Sequence, residues 1–393
     1  MPEMFWVGAS MKEEGRQMTM RAQESYEPLF TPAVVGRVDL KNRVAVAPMT
    51  RISATTEGLV TERNESYYGV YADGGFGLLL TEGLYLDEQA SQGYFFQPGI
   101  ATAAHAQAWQ PVVERVHGAG AKIFAQLMHA GSQSQGNPHT ATTLAPSAVR
   151  PRREQLAMYR GSGPYLIPEE MTLEQIHEVR RAFVTAATLA RDAGFDGVEI
   201  HGANGYLIDE FLTDYLNVRT DQYGGSVANR VRLAAEISRD VAAAVGSEIT
   251  TGIRISQGKV SDNRHRWAGA QDDAAVIFSA LADTGIDYIH TTEYRALAPA
   301  FDSRPETLAE LAKQHSGLTV IANGHLDDPR DAAAIIGSGS ADVVALAKPA
   351  LANRNWPHLV RTGQKLAGDL PADLFGPVAS IKDWELISPD NRL

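Results

Sequence analysis

The stretch EIHGANGYLIDEFLTDYLNVRTDQYGGS, residues 199–226, decides the fold class of this chain. A short apolar run at residues 197–200 leads into His201, and Asn204 and Tyr206 follow within five residues. Two hydrogen-bonding side chains and one phenol therefore stand at the exit of a predicted buried strand. Parallel α/β proteins place their chemistry at such exits.

Similar short apolar runs recur along the chain, and segments of helical pattern separate them. Runs this short and this apolar are typical of strands that are covered on both faces. The predicted strands of this kind are residues 44–47, 77–81, 122–127, 197–201, 250–255, 288–291, 320–323 and 342–347. A small hairpin that turns at Gly36 and Arg37 precedes the first of them.

Helical periodicity marks the segments between these runs. The clearest helix is predicted from 173 to 193, where Thr172 and Gln175 have the spacing of a capping box and Gly194 follows the end. Further helices are predicted at 105–119, 230–244, 272–284, 306–315 and 328–336. Eight strands alternating with helices predict an α/β protein with a single (β/α)8 TIM barrel. A doubly wound dinucleotide fold is disfavoured because no GxGxxG motif follows the first strand.

We expect three segments along the 393 residues: a flexible N-terminal extension at 1–27, the barrel at 28–365, and a C-terminal tail at 366–393. The tail is expected to pack on the barrel or to extend from it. Two insertions, 131–171 and 202–229, exceed normal loop length. Both follow strand ends on the predicted catalytic face, so we expect lids or specificity elements there.

Composition excludes several classes of function. The formal net charge is 35 − 47 = −12, which argues against a nucleic-acid or anionic-membrane partner. The chain has no cysteine, which excludes disulfides, thiolate catalysis, iron–sulfur clusters and cysteine-ligated zinc. No apolar stretch approaches the ~18–20 residues of a membrane span, and the N-terminus is a poor signal peptide. We therefore expect a cytoplasmic protein, either a monomer or a homodimer.

Polar side chains follow the predicted strands at their exits. Gln126, Arg254 and the group at His201 bring amide, cationic and hydroxyl donors to one face. Gly324 and Lys348 follow the last two strands, where barrels customarily bind phosphate. The sequence therefore predicts a phosphorylated cofactor, since no metal-ligand cluster is visible.

Three motif groups make the chain resemble the Old Yellow Enzyme family of FMN-dependent ene-reductases over residues 29–363. The first group is Lys41-Asn42-Arg43 with Ala47-Pro48-Met49-Thr50-Arg51, and the second is Ala125-Gln126-Leu127 with His129-Ala130-Gly131. The third is His201-Gly202-Ala203-Asn204-Gly205-Tyr206 with Arg219-Thr220-Asp221 and Tyr223-Gly224-Gly225-Ser226. Their order and spacing together carry the resemblance.

The resemblance implies FMN as the cofactor, with NADPH or NADH as the transient hydride donor. Arg254 would compensate the negative charge of reduced flavin, Gln126 would bind the pyrimidine edge, and Thr50 would donate to flavin O4. The full set of implied cofactor-binding residues is Ala47, Pro48, Met49, Thr50, Gly83, Gln126, Arg254, Asn323, Gly324, His325, Ala347 and Lys348.

The resemblance also implies the reaction. The substrate would be a small electron-poor alkene such as an enone, an enal or a nitroalkene. His201 and Asn204 would donate to its carbonyl or nitro oxygen, where charge develops as hydride arrives. Tyr206 would protonate the α-carbon, because a phenol of pKa ~10 is a proton source at neutral pH.

The chain departs from the family pattern in places. Ala347-Lys348 stands where the family usually has Gly-Arg, and His325 stands where small or amide residues are usual. Met128 and Ser132 replace common Trp and Arg residues at positions that border the substrate side. These departures bear on phosphate affinity and on specificity, not on the class of reaction.

Other interpretations of the same residues stay open. The same flavin barrel could reduce nitro compounds or nitrate esters, or demethylate oxidatively. A flavin-free isomerase or lyase could use Lys348 or His201 as a base, and a non-catalytic flavin-binding protein is the fourth alternative. Arg254 could merely pair with Glu199. We expect a structural role for His129 and an internal pair of Arg219 and Asp221. His290 and Thr291 are expected to be wall residues.

Overall fold

A computed structural model describes residues 26–387, and eight of its strands close into a parallel barrel. The strands are β1 Ala33–Val35, β2 Val38–Leu40, β3 Val44–Val46, β4 Leu78–Tyr85, β5 Lys122–Met128, β6 Leu144–Ala145, β7 Glu169–Glu170, β8 Gly197–Asn204, β9 Thr250–Lys259, β10 Tyr288–Thr292, β11 Thr319–Asn323 and β12 Val343–Leu346. Around the barrel the order is β10-β11-β12-β3-β4-β5-β8-β9. The predicted fold class is confirmed.

Helices cover the outside of the barrel. They are α1 Glu62–Asp73, α2 Ala103–Gly118, α3 Leu173–Asp192, α4 Leu207–Leu212, α5 Val227–Arg230, α6 Arg232–Val245, α7 Gln271–Ala282, α8 Leu308–Ser316, α9 Pro329–Gly337, α10 Lys348–Ala352 and α11 Trp356–Arg361. The capping box predicted at Thr172 and Gln175 is present. The periodicity did not predict α1, because its buried face consists largely of tyrosines, which are not strong helix formers. No helix among residues 26–387 is both long enough and apolar enough to cross a membrane.

Three barrel strands end three or four residues later than predicted. β4 continues to Tyr85, β8 to Asn204 and β9 to Lys259, so the backbone ladder extends past the apolar runs into polar residues. The apolar runs in the sequence mark only the part of each strand that the barrel core covers on one face and the helices cover on the other. The extended strand ends carry the polar side chains of the upper rim.

The barrel interior is apolar at the amino end of the strands and polar at the carboxyl end. The hairpin of β1 and β2 closes the amino end, and its Val35 and Leu40 pack in one cluster with Phe124, Tyr288 and Ile321. The turn of this hairpin lies at Gly36, as predicted. Polar side chains are therefore concentrated at the carboxyl end of the strands.

The two insertions are anchored to each other by Arg219. Its guanidinium donates to the carbonyl oxygens of Pro146 and Met171 and forms an ion pair of 2.6 Å with Asp221. The predicted internal pair of Arg219 and Asp221 is confirmed. The predicted N-terminal extension, apart from its last two residues, lies outside the described residues.

The C-terminal segment returns to the loop after β3. Glu385 forms a buried, bidentate ion pair with Arg51, and the Arg51 Nη2 to Glu385 Oε2 distance is 2.6 Å. The same guanidinium donates to the carbonyl oxygens of Ala379 and Ser380. Arg51 thus holds the segment that packs Val378 against the cluster around Tyr206.

Replacing Glu385 with alanine is expected to lower the free energy of unfolding by about 3–5 kcal/mol, because it leaves the Arg51 charge buried without a partner. Urea denaturation followed by tryptophan fluorescence measures the loss. Asp383→Ala is the matched control, since Asp383 pairs with Arg63 but is 89% exposed, and it should cost less than ~1 kcal/mol. Equal losses of unfolding free energy in the two variants would contradict the importance of the buried Arg51–Glu385 pair.

Candidate active site

The barrel register gathers the predicted site residues on neighbouring strand ends. Gly83 pairs with Gln126 between β4 and β5, and His201 pairs with Arg254 between β8 and β9. The Arg254 Nη2 atom donates to Asn323 Oδ1 on β11 at 3.0 Å and to Thr292 Oγ1 on β10 at 3.1 Å. Residues more than two hundred positions apart thereby form one polar rim.

A tight turn at the end of β8 places Asn204 and Tyr206 close to His201 in the chain. Asn204 has φ 63° and Gly205 has φ 85°, a left-handed conformation that asparagine and glycine tolerate best. Asp209 accepts from the Gly205 amide at 2.7 Å and pairs with Lys259, and the side chains of this ion pair are fully buried. The turn is therefore held from both β9 and α4.

His201 is a buried and neutral donor. Its ring centroid lies 5.0 Å from that of Tyr206, and its side chain forms no hydrogen bond within residues 26–387. Burial, together with the nearby charge of Arg254, holds the pKa of His201 well below its usual range. A neutral imidazole has one N–H, so it can donate to a substrate oxygen without adding a charge to the pocket.

Tyr206 shares a short hydrogen bond with a second tyrosine. Its hydroxyl lies 2.6 Å from the hydroxyl of Tyr94, and both rings are buried. Burial raises the pKa of Tyr206, and the hydrogen bond with Tyr94 partly offsets that rise. Tyr159, from the first insertion, packs against Tyr94 with the ring centroids 4.7 Å apart and the ring planes tilted by 50°.

Apolar residues surround this pair of tyrosines. Ile52, Met128 and Ala130 are buried against Tyr94 and Tyr206, and the partly buried side chains that pack on them are Phe96, Tyr159 and Val378. Met128 thus lies in one cluster with Tyr94 and Tyr206. Ser132 instead donates to the buried carboxylate of Glu210.

Gln126 and Arg254 lie on opposite sides of a buried carboxylate. Gln126 Nε2 donates to Glu199 Oε1 at 2.8 Å, and Glu199 also accepts from His290. Arg254 and Glu199 form no direct ion pair, so the interpretation of Arg254 as merely a partner of Glu199 does not hold. The pKa of Arg254 is lowered by its burial, and the charge of Glu199 partly offsets that effect.

The loop after β3 lies beside this rim. It carries Ala47, Pro48, Met49 and Thr50, which the family resemblance implies as cofactor-binding residues. Ala47 donates its amide to Leu346 at the end of β12. Glu82, fully buried on β4, accepts from the amides of Arg51 and Ile52 at 2.8 and 3.1 Å. Thr50 is therefore fixed from the barrel side by the residues that follow it.

A cavity of about 170 Å³ lies over the ends of β11 and β12. Its lining includes the predicted phosphate-site residues Asn323, Gly324, His325, Ala347 and Lys348. Gly324 has φ 139°, and a Cβ there would lie 2.1 Å from the Glu293 carbonyl oxygen. His325 is turned toward Asp327, with 3.1 Å between Nδ1 and Oδ2, whereas Lys348 has no ion-pair partner in the described part of the chain.

The residues at this rim fit FMN. Three buried nitrogen atoms at adjacent strand ends have no hydrogen-bond partner in the structure: Arg254 Nε, His201 Nδ1 and His290 Nε2. Buried polar atoms are normally satisfied, so unpartnered atoms clustered at one place indicate a missing polar ligand. Lys348 adds a cation at the phosphate-sized cavity. Within residues 26–387, no group of histidine and carboxylate side chains could hold a metal ion.

The sequence did not identify two parts of this site. Tyr94 lies in the loop after β4, and the length and aromatic content of residues 86–102 on the catalytic face were the available signal. Glu199 and His290 lie within apolar runs, and strand alternation was the only sign that they face inward. His290, expected to be a wall residue, is hydrogen-bonded to Glu199 inside the barrel.

The chain matches the family model for the NADH:flavin oxidoreductase / NADH oxidase family over residues 28–367. It is 34% identical over 336 residues to 12-oxophytodienoate reductase 1 of Oryza sativa subsp. japonica, and the match covers 84% of this chain and 85% of that protein. It is 32% identical over 345 residues to an NADH oxidase of Thermoanaerobacter brockii, with 86% of this chain covered. The chain spans about half of that oxidase, since the match covers 51% of it.

Solved structures resemble the whole barrel. An old yellow enzyme homologue from Zymomonas mobilis superimposes with a TM-score of 0.82 at 30% identity, covering 92% of this chain and 99% of that one. A morphinone reductase in complex with tetrahydroNAD gives a TM-score of 0.78 at 32% identity, covering 88% of this chain and 93% of that one.

Replacing Lys348 with alanine is expected to weaken FMN binding about tenfold or more, because a charge-assisted contact to phosphate contributes ~1.5–3 kcal/mol. Quenching of flavin fluorescence by the apoprotein measures the dissociation constant. The same variant should bind riboflavin, which lacks the phosphate, as the wild type does. Lys365→Ala, an exposed lysine outside this cavity, is the control. An equal loss for FMN and riboflavin would show that Lys348 does not face the phosphate.

Proposed function

The chain belongs to the NADH:flavin oxidoreductase / NADH oxidase family, which is the Old Yellow Enzyme family, and we propose that its strand-end pocket carries out ene-reduction. The protein is an NAD(P)H-dependent FMN oxidoreductase that reduces activated C=C bonds, and the resemblance seen in its motifs is confirmed. The proposal concerns which side chains hold the cofactor and the substrate and what each one does.

FMN would lie along the rim from the cavity at Lys348 to the turn at Tyr206. Lys348 and the backbone of Gly324 would hold the phosphate. Gln126 would hydrogen-bond the pyrimidine edge, and Arg254 would face the same edge with its free Nε. The loop from Ala47 to Thr50 would contact the ring from the β3 side. Bound FMN accepts hydride from NAD(P)H and passes hydride to the substrate.

His201 and Asn204 would bind the activating oxygen of the substrate. Both lie at the end of β8, and neither side chain has a hydrogen-bond partner within residues 26–387. Their donors are therefore available to one oxygen. Negative charge grows on that oxygen as hydride reaches the β-carbon, and one such donor contributes ~2.7–4 kcal/mol to transition-state stabilisation.

Tyr206 would donate the proton that completes the reduction. Its O–H bond breaks as a C–H bond forms at the α-carbon, and a phenolate is left on Tyr206. Tyr94 can stabilise that phenolate by donating a hydrogen bond across the 2.6 Å between the two hydroxyl oxygens. Burial raises the pKa of Tyr94 well above its usual value, so Tyr94 keeps its own proton when Tyr206 gives up its proton. The Tyr206 proton is then free to point at the substrate.

One observation supports this proposal: His201, Asn204 and Tyr206 lie at one strand end, the His201 and Tyr206 rings are in contact, and the same rim holds Gln126 and Arg254. Two donors for one oxygen and one proton for one carbon are what the addition of hydrogen across a polarised alkene requires. Reduction of an enone by the purified FMN protein, followed as NAD(P)H consumption, tests it. Turnover of nitrate esters alone would favour the alternative flavin chemistry.

Tyr206→Phe is expected to leave reduction by NAD(P)H unchanged and to slow reoxidation by enones about a hundredfold or more, as expected for loss of a general acid. Stopped-flow spectrophotometry separates the two half-reactions. Nitroalkenes serve as an internal control, because their nitronate products are stable anions that can be released before protonation. If the reductive half-reaction falls as much as the oxidative one, Tyr206 is not the proton donor.

Tyr94→Phe should also slow reoxidation by enones, but only about tenfold, because it removes one hydrogen bond to the charge that develops on Tyr206. Reoxidation by an enone should also show a larger solvent deuterium isotope effect as proton transfer becomes slower. Tyr165→Phe, a buried tyrosine with no hydrogen bond to Tyr206, is the matched control. An unchanged enone rate in Tyr94→Phe would exclude a role for Tyr94 in proton transfer.

A further inference from the structure

Glu199 is a fully buried charged side chain on β8, and the roles proposed above do not use it. Its carboxylate lies 2.8 Å from Gln126 Nε2, 2.8 Å from His290 Nδ1 and 3.2 Å from the Tyr288 hydroxyl. Donors from two strands, β5 and β10, thus converge on one carboxylate of β8 beneath the rim.

Gly252 makes this convergence possible. It pairs with Glu199 on one side and with Tyr288 on the other, so it lies between them on β9. A Cβ at Gly252 would lie 2.3 Å from the Tyr288 ring. Only glycine therefore allows the Tyr288 ring to cross β9 and reach Glu199.

An ionised carboxylate only accepts hydrogen bonds, so each of its partners must be a donor. Gln126 must turn its NH2 group toward Glu199, which leaves Oε1 and one N–H to face the rim. His290 must carry its hydrogen on Nδ1, which leaves Nε2 as an acceptor. That Nε2 atom is buried and has no partner within residues 26–387.

Charge balance keeps Glu199 ionised. Burial by itself would raise the pKa of Glu199, but His290, Arg254 and the hydrogen bond from Gln126 outweigh it, so the pKa lies below its ordinary value. The other titratable side chain that faces Glu199 is Tyr288, whose pKa is raised well above its usual value by burial, so it stays a neutral donor. A fixed negative charge therefore lies under the rim, opposite the positive charge of Arg254.

We propose that Glu199 is a positioning residue for the flavin. Its carboxylate fixes the amide orientation of Gln126 and the tautomer of His290, and its charge offsets that of Arg254 beneath the pyrimidine edge. The inference rests on the proposed FMN site and adds to it a residue that touches neither cofactor nor substrate. A fixed negative charge at this place opposes the electrons that the flavin gains, so Glu199 lowers the flavin midpoint potential.

Glu199→Gln tests both the positioning of the flavin and the effect on its midpoint potential, because it keeps the shape of the side chain and removes its charge. The amide no longer requires three donors, so oxidised FMN should bind about tenfold more weakly. Reduced FMN should lose less affinity, since the opposing charge is gone. If the ratio of the two dissociation constants changes tenfold, the midpoint potential becomes more positive by about 30 mV for a two-electron couple. Fluorescence quenching measures the affinity, and a dye-coupled reductive titration measures the potential.

Two further variants separate the possible outcomes. Glu199→Asp keeps the charge but shortens the reach to Gln126, so FMN affinity should fall while the potential stays near that of the wild type. Glu210→Gln is the matched control: it is an equally buried carboxylate that accepts from Ser132 and contacts none of Gln126, His290 and Arg254, so only its stability should change.

Wild-type affinity and potential in Glu199→Gln, or effects equal to those of Glu210→Gln, would overturn the inference. If the Gln variant does not fold, wild-type FMN affinity in Glu199→Asp overturns it instead. Failure of the wild-type protein to bind FMN would refute the proposed function itself, which is a different result.

Discussion

Closure of eight parallel strands into one barrel is the constraint on which the rest of this molecule depends. Parallel closure places every strand exit at the same end, so side chains from distant parts of the chain meet there without any special contact between their segments. The hairpin of β1 and β2 closes the other end with apolar residues. Polar chemistry is thereby confined to the upper rim, where loops and side chains can reach it.

Burying polar groups at that rim is costly, and the structure offsets the cost by pairing them. Asp209 with Lys259 and Arg51 with Glu385 are buried ion pairs that hold the two loops flanking the site. Such pairs add little stability compared with apolar packing, but leaving one partner unpaired is strongly unfavourable. They therefore fix loop positions more than they stabilise the fold. The unpartnered nitrogen atoms lie at the strand ends between these two loops, where a ligand can satisfy them.

The substrate side is assembled from parts that are far apart in sequence. Tyr206 follows β8, Tyr94 follows β4, Tyr159 comes from the first insertion, and Val378 comes from the C-terminal segment. Each insertion thus contributes a wall of the pocket as well as covering it. Arg51 links these parts to the loop after β3, because it follows Thr50 directly and binds the segment that carries Val378. Changes in the C-terminal segment can therefore reach the loop at residues 47–50 through one side chain.

The sequence by itself determined the barrel and its family, and it was enough to propose the reactive groups. Short apolar runs alternating with helices require a doubly covered parallel sheet, and His201, Asn204 and Tyr206 lie within six residues, so local spacing was enough to propose them. Only the tertiary structure decided that Tyr94 pairs with Tyr206 and that Glu199 gathers donors from two other strands. These contacts depend on strand register and loop path, which bring together residues separated by about a hundred positions, and no local pattern encodes such a distance.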